Sequence, residues 1–343
     1  MNLKTFGKKP AGKRQQRIEQ VENYSGGEFK NVEPTSVNPN NVSFFKILRD
    51  FTNKPSDVKP PKEVPSKRTD LHSLKASKPS VVWFGHSSYF ISYNNFNILV
   101  DPVFSGNASP VNFFGKAFHG ADHYEIEDFP EIDLLILTHD HYDHLDFPSI
   151  IKLHSKTKQI VTSLGVGAHL EYWGVPQRKI TELNWWEEAI ITSNIKITAT
   201  PSRHFSGRGV TRANTLWSSF ALELENYKIF IGADSGYDGQ FKKIGDHFGG
   251  FDLAFLECGQ YGKNWPQIHM FPEQTVQAAQ DLKAEILFPV HWSKFVLSTH
   301  SWNESINRLV KEARAKNQHY VSPLIGESYV LGEDYKQTNW WEF

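Results

Sequence analysis

Seven consecutive residues, Thr138-His139-Asp140-His141-Tyr142-Asp143-His144, follow directly on the apolar run Leu134–Leu137. A buried strand that ends in such a cluster constrains the fold more than any other feature of the chain. In α/β proteins the ends of strands and the loops beyond them carry ligands and reacting groups. Residues at i and i+2 of an extended segment point the same way, so His139 and His141 can converge on one metal ion while Asp143 and His144 turn toward a second. Imidazoles mixed with a carboxylate suit zinc, and the spacing leaves manganese and iron open. A lone H-x-H is more often a polar loop with incidental histidines, but four ligand-type side chains in six residues after a buried strand go well beyond that pattern.

Three later apolar segments end the same way. KITATPSRH delivers His204, KIFIGAD delivers Asp234 and EILFPVH delivers His291. Singly, each reads as a cap, a turn residue or a satisfied buried histidine. Together they supply a third ligand for each of two metals and a carboxylate to bridge them.

The rest of the chain supports a layered α/β sandwich. Strands are expected at VVWFGHSSYFISY and FNILVDPVF around the turn Asn94–Asn95, and at 133–138, 159–163, 196–200, 218–224, 228–233, 252–257 and 285–290; helices are expected at 148–155, 165–173, 272–284 and 303–316. Aromatic residues make up 14% of the chain, which suits a large core. Residues 1–42 are polar and weakly periodic and read as a partly ordered arm. SFFKILRDFTN (43–53) reads as a short amphipathic helix, and a Pro/Lys-rich linker follows it. The expected division is therefore an N-terminal arm, helix and linker over 1–79 and a hydrolase domain over 80–343. The formal charge of −1 hides an asymmetry: residues 1–80 carry +8 and the remainder −9. The single cysteine, Cys258, excludes an intrachain disulfide and reads as a small buried residue. The basic start lacks an apolar stretch behind it, so no secretory signal or membrane span is expected and the default location is the cytoplasm.

The H-x-H-x-D-H cluster with later His, Asp and His resembles the metallo-β-lactamase superfamily. Over roughly residues 80–335 the chain is more closely similar to its N-acyl-phosphatidylethanolamine-hydrolysing phospholipase D group. That resemblance rests on WFGHSS (83–88), DPVFSGNASP (101–110), THDHYDHLD (138–146), LNWWEE (183–188), TPSRHFSGRG (200–209), GADSGY (232–237), FGGFDLAFLECGQY (248–261), HMFPEQTVQA (269–278) and PVHW (289–292). It implies an αββα sandwich and two divalent metal ions, zinc by preference. His139, His141 and His204 would then hold one ion, Asp143, His144 and His291 the other, and Asp234 would bridge them. His269 matches an active-site histidine of the family. The implied reaction is phospholipase D-type hydrolysis of N-acyl-phosphatidylethanolamine to phosphatidic acid and an N-acylethanolamine, by attack of metal-activated hydroxide on phosphorus. Asp143, Asp234 and His269 are its catalytic candidates, with His269 either protonating the leaving oxygen or positioning the phosphate. The first 80 residues do not match.

Around the site, Arg203 and Arg208 flank His204 and are candidates to grip a phosphate, or else to pair with structural carboxylates. Asp101 and His86 read as groups that orient ligands or lock strands. Trp185–Trp186 reads as a lipid groove or as ordinary core. Rival readings are a same-fold hydrolase of a soluble phosphodiester, lactone or lactam, a nucleic-acid processing enzyme suggested by the basic arm, and a non-catalytic metal-binding protein. The acidic body and the lack of an aromatic-basic recognition motif argue against nucleic acid as a partner. The expected partner is a phospholipid or other phosphodiester, with a peripheral membrane contact and a homodimer left open.

Overall fold

The structure is a computed structural model that describes residues 3–74, 77–111, 114–209 and 211–343. After helix α1 (Lys13–Ile18) come a small hairpin, β1 (Tyr24–Ser25) and β2 (Glu28–Phe29), and helix α2 (Phe44–Thr52). The body starts with β3 (Ser80–Trp83), β4 (Tyr89–Tyr93), β5 (Phe96–Val100) and β6 (Ile132–Leu137), then α3 (Phe147–Leu153), β7 (Thr157–Ser163), α4 (Gly167–Tyr172) and β8 (Ile180–Leu183). A second run follows: β9 (Glu188–Thr192), β10 (Ile195–Pro201), β11 (Ser218–Leu224), β12 (Tyr227–Ile231), α5 (Gln240–Phe248), β13 (Phe251–Glu257), α6 (Pro272–Asp281) and β14 (Ala284–Val290). The chain closes with α7 (Glu304–Ala315), β15 (His319–Tyr320) and β16 (Ser328–Val330).

The strands form two seven-stranded sheets, β16-β3-β4-β5-β6-β7-β8 and β15-β14-β13-β12-β11-β10-β9. Each repeats one plan. An antiparallel meander, β3-β4-β5 or β10-β11-β12, continues into parallel strands, β6-β7-β8 or β13-β14-β15. The β4–β5 turn places Asn94 at φ 47° and Asn95 at φ 61°, the left-handed conformations that a tight hairpin turn requires. Strand β6 shows why the stretch 134–137 is unbroken Leu and Ile. Leu134 and Ile136 face the other sheet, while Ile132, Leu135 and Leu137 face the layer of α3 and α4. A strand covered on both faces needs apolar residues at every position. Between the sheets, Tyr89 stacks on Phe255 with centroids 3.9 Å apart, and Trp83, Trp292 and Trp340 form a contiguous stack. Cys258 is fully buried, and burial pushes its thiol up.

The described part of the N-terminal segment packs on this body, in contrast to the partly ordered arm expected for 1–42. Arg14 of α1 pairs with Glu171 at 2.7 Å and Glu182 at 2.6 Å. Ile18 and Phe29 are buried with Leu164, Trp185, Leu216 and Trp217. The amphipathic helix expected over 43–53 forms as α2, capped by Ser43 accepting from the Lys46 amide. It leaves Phe45 80% and Leu48 50% exposed, while the side chains of Phe44, Ile47 and Phe51 lie outside the described residues. Among the described residues no helix is long and apolar enough to cross a membrane.

Strands β3, β5, β6, β10, β12, β13 and β14 all run toward one edge of the sandwich. Just past their ends, or as their last residue, stand His86, Asp101, His139, His204, Asp234, Glu257 and His291. The sheet geometry alone gathers them.

Candidate metal centre

Two clusters share this edge. In the first, His139, His141, His204 and Asp234 bring ligand atoms together; in the second, His86, Asp143, His144 and His291 do so. His139 Nε2 lies 3.0 Å from His141 Nδ1, His204 Nε2 lies 3.2 Å from that same Nδ1, and Asp234 Oδ2 is 3.9 and 3.7 Å from the His139 and His204 Nε2 atoms. His291 Nε2 is 3.4 Å from Asp143 Oδ2 and 3.2 Å from Asp234 Oδ1, and His144 Nε2 is 3.8 Å from Asp143 Oδ2 and 3.2 Å from Asp234 Oδ2. Tetrahedral ligands on metal–nitrogen bonds of about 2.1 Å stand about 3.4 Å apart, so these spacings fit two ions with Asp234 between them. The hydrogen-bond inventory agrees. His144 Nε2, His291 Nε2 and Asp234 Oδ1 are buried and have no hydrogen-bond partner among the described residues. A native core rarely strands three such atoms together unless an ion satisfies them.

The electrostatics favour cations. Burial would raise the carboxyl of Asp234, yet His144 and His291 hold it well below the usual range; Asp143 is depressed in the same way, chiefly by His144 and His291. His139 and His204 are held well below the ordinary imidazole range, mainly by burial, and so present neutral lone pairs. His291 is pushed up to about 9: burial lowers it, but Asp234, Asp143 and Glu257 outweigh that effect. The field that draws a proton to His291 draws a divalent cation to the same lone pair.

Several of these side chains are held from behind. Asp101, at φ 38°, accepts from the Thr138 amide at 2.9 Å and sits 2.7 Å from His144 Nδ1, which turns His144 Nε2 toward Asp234. His86 Nε2 lies 2.9 Å from Asp143 Oδ2. His204 Nδ1 faces the Ile268 carbonyl at 2.9 Å. His291 and His86 both adopt positive φ, 66° and 54°, and are tied by reciprocal main-chain bonds: the His291 amide donates to the His86 carbonyl and the His86 amide to the Trp292 carbonyl. Such strain, held by surrounding structure, is typical of functional positions. Partners of this kind fix the tautomer and basicity of metal ligands.

One carboxylate at the centre of the site was not anticipated from the sequence. Glu257, the last residue of β13, is 1% exposed, accepts from the Ser235 amide at 2.7 Å, and lies 2.8 Å from His269 Nδ1 and 3.3 Å from His291 Nδ1. It couples His269 to the ligand His291, whose rings stack at 5.3 Å. The signal was available: an acid ending an otherwise apolar strand, in register with the other strand-end ligands.

A cavity of ≈ 560 Å³ opens onto the ligands, with His141, Asp143, His204, Asp234, His269 and His291 at its base. Val37 and Val42 from the arm, with Phe205, Trp265, Ile268 and Leu297, form an apolar wall, and Arg212 stands with them over the Phe205 ring. The arginines expected to grip phosphate are elsewhere. Arg203 donates to Thr35 Oγ1 at 3.0 Å and to the carbonyls of Pro34 and Tyr237. Buried Arg208 donates to the carbonyls of Thr5, Asp140 and Leu145. Both hold backbone together, and neither lines the cavity. Apart from Thr35 Oγ1, their partners are main-chain carbonyls, which no side-chain pattern reveals. Trp185 and Trp186 are also absent from the cavity lining: Trp185 is core, donating to the Trp217 carbonyl, and Trp186 lies beside His247. Trp265 supplies the aromatic wall instead.

An αββα sandwich that gathers seven His and Asp side chains of the metal-binding type at one strand-end edge is the architecture of a metallo-hydrolase. The chain belongs to the metallo-β-lactamase superfamily: the beta-lactamase superfamily domain matches residues 96–292. An uncharacterised protein of Mycobacterium tuberculosis is 34% identical over 94% of this chain and 88% of its own length. N-acyl-phosphatidylethanolamine-hydrolyzing phospholipase D 1 of Caenorhabditis elegans is 30% identical over 86% of this chain and 89% of its own length. Among solved structures, the metallo hydrolase Igni18 of Ignicoccus hospitalis shares the fold, with a TM-score of 0.57 at 18% identity over 76% of this chain and 100% of that one.

Proposed function

We propose that this chain is a binuclear metal-dependent phosphodiesterase of the phospholipase D type, acting on an N-acylated phospholipid. The observation that supports this most is the cavity: one end is lined by the ligand cluster, and the wall beside it is mainly apolar, with Asn38, Gln260 and Asn264 among its polar members and Arg212 the one arginine among the described residues that line it. A phosphodiester with a long apolar substituent matches both ends, and the similarity to the nematode phospholipase D points the same way. His139, His141, His204 and Asp234 would hold one ion and Asp143, His144, His291 and Asp234 the other; zinc fits the imidazole-rich set, with manganese or iron as alternatives. Two such ions supply an activated water and positive charge for the phosphoryl oxygens.

The chain's own groups do the remainder. His269 lines the cavity with Nδ1 engaged by Glu257, which leaves Nε2 as the ring atom for substrate. From there it protonates the departing alkoxide as water oxygen replaces it on phosphorus, giving phosphatidic acid and an N-acylethanolamine. Arg212 steadies the phosphate from the rim, and the Val37, Val42 and Trp265 wall takes the acyl chain. The exposed Phe45 and Leu48 of α2, flanked by Lys46 and Arg49, offer a peripheral contact with an anionic lipid surface.

The two arginine sites separate under mutation. Arg212→Ala should raise KM for a phosphodiester about tenfold and leave the Tm unchanged, because it removes one charged contact to substrate. Arg208→Ala should lower the Tm by at least about 5 °C, because it strands three backbone carbonyls that cost about 1–3 kcal/mol each. Melting curves and steady-state kinetics on both variants check this, and a KM change confined to Arg208→Ala would reverse the assignment. The substrate itself is tested by profiling the metal-replete protein against N-acyl-phosphatidylethanolamine in mixed micelles, a short soluble phosphodiester, a lactone and a β-lactam. Preferential cleavage of the micellar lipid supports the reading. Turnover of only the lactone or lactam removes it.

A further inference from the structure

We infer that Asn31, in the segment before the hydrolase fold, is a positioning residue for the metal ligand His204. Its side chain brackets that residue's main chain from both sides. Asn31 Nδ2 donates to the His204 carbonyl at 2.8 Å, and Asn31 Oδ1 accepts from the His204 amide at 3.0 Å. Asn31 Oδ1 also accepts from Trp217 Nε1 at 3.0 Å, and the same indole N–H reaches the Ser202 carbonyl at 3.0 Å. A primary amide that pairs with both the N–H and the C=O of one residue acts as a one-residue strand partner and fixes the two peptide planes on either side of the Cα. With the His204 Nδ1 contact to the Ile268 carbonyl at 2.9 Å, backbone and ring are both fixed, and Nε2 is aimed at His141 and Asp234.

The loop needs such a bracket. His204 lies beyond the last residue of β10, Pro201, where the sheet ladder no longer supports the main chain. Asn31 is in turn anchored on both sides. Upstream, Phe29 is 2% exposed among Ile18, Leu216 and Trp217, and its amide donates to the Ala213 carbonyl at 2.9 Å. Downstream, Arg203 holds Thr35 and the Pro34 carbonyl, and the Ser36 amide donates to Gln267 Oε1 at 2.7 Å. Arg203 therefore ties the neighbour of the metal ligand to the segment that carries the bracket. Three members of the first cluster, His139, His141 and His204, stand past the ends of β6 and β10, and the main chain of the third is held by an asparagine more than a hundred residues earlier in sequence.

The test uses full-length Asn31→Ala and Asn31→Asp loaded with cobalt(II). The readouts are the visible absorption spectrum, the dissociation constant of each ion from competition with a chelator, and the Tm. Partners that orient metal ligands are worth about 10–100-fold in metal affinity. Asn31→Ala should weaken one of the two ions by about that factor and alter the cobalt spectrum. Asn31→Asp keeps the size and both acceptor contacts but loses the donor to the His204 carbonyl, and should fall between alanine and wild type. Arg17→Ala, which removes the Arg17–Glu187 pair at 2.5 Å elsewhere in the same segment, should lower the Tm without touching the spectrum or either dissociation constant. Wild-type affinity and spectrum in folded Asn31→Ala would overturn the inference. If Asn31→Ala does not fold, an unchanged spectrum and unchanged affinities in Asn31→Asp overturn it equally. None of these readouts depends on the substrate, so they stand apart from the phospholipase reading.

Discussion

Replacing Asp234 with alanine should abolish hydrolysis and reduce the bound metal below one ion per chain. Asp234 is 2% exposed and reaches both clusters: Oδ1 faces His291, and Oδ2 faces His144 of that same cluster as well as His139 and His204 of the other. Without it each ion loses a ligand, and two cations held close together lose the negative charge between them. The several kcal/mol of charge stabilisation that metals supply to a transition state correspond to about 10³-fold or more in turnover. Asp234→Asn, which keeps the shape, should retain part of the metal and little of the rate. Kinetics on any cleaved phosphodiester, with metal analysis of the same samples, checks both. A variant with full metal content and more than about a tenth of the wild-type rate would contradict the bridging role.

Deleting residues 1–42 should destabilise the protein severely and remove activity. A short polar segment of this composition invites the opposite expectation, that the enzyme works without it. The contacts decide otherwise. Burial of Ile18 and Phe29 contributes roughly 1.5–3 kcal/mol each, and both are almost fully covered. Their loss alone takes a large share of a typical stability of about 5–15 kcal/mol. Arg14 also leaves Glu171 and Glu182, Thr5 leaves Arg208, and Val37 and Val42 leave the cavity wall. Urea denaturation and turnover of a soluble phosphodiester measure the two effects. A truncated protein that stays folded, binds metal and turns over at the wild-type rate would show that the segment is an accessory.

The candidate metal ligands stand out in the sequence because they follow apolar strands that end at the same edge. His139, His141, Asp143 and His144 crowd into one loop, and His204, Asp234 and His291 repeat the pattern singly. The strand-rich body was legible because β6, β12 and β13 are covered on both faces and so carry unbroken apolar runs. Elements with a polar face were not. Strand β9 (EAIIT) and strand β8 (ITEL) bury few residues, and α5 (QFKKIGDHF) carries its apolar face on Phe241, Ile244 and Phe248 among charges. Glu257 and Asn31 escaped for another reason. Each acts through contacts with residues elsewhere in the chain and belongs to no cluster in sequence. Arg203 and Arg208 were misplaced because proximity to His204 along the chain suggests the cavity, whereas their donors turn away to backbone carbonyls.

The central claim is two metal ions on one shared carboxylate, and counting the ions tests it most directly. Wild-type protein equilibrated with excess zinc, desalted and analysed for metal against an amino-acid-determined protein concentration should contain two ions per chain. A limit of one ion in fully loaded protein would contradict the account.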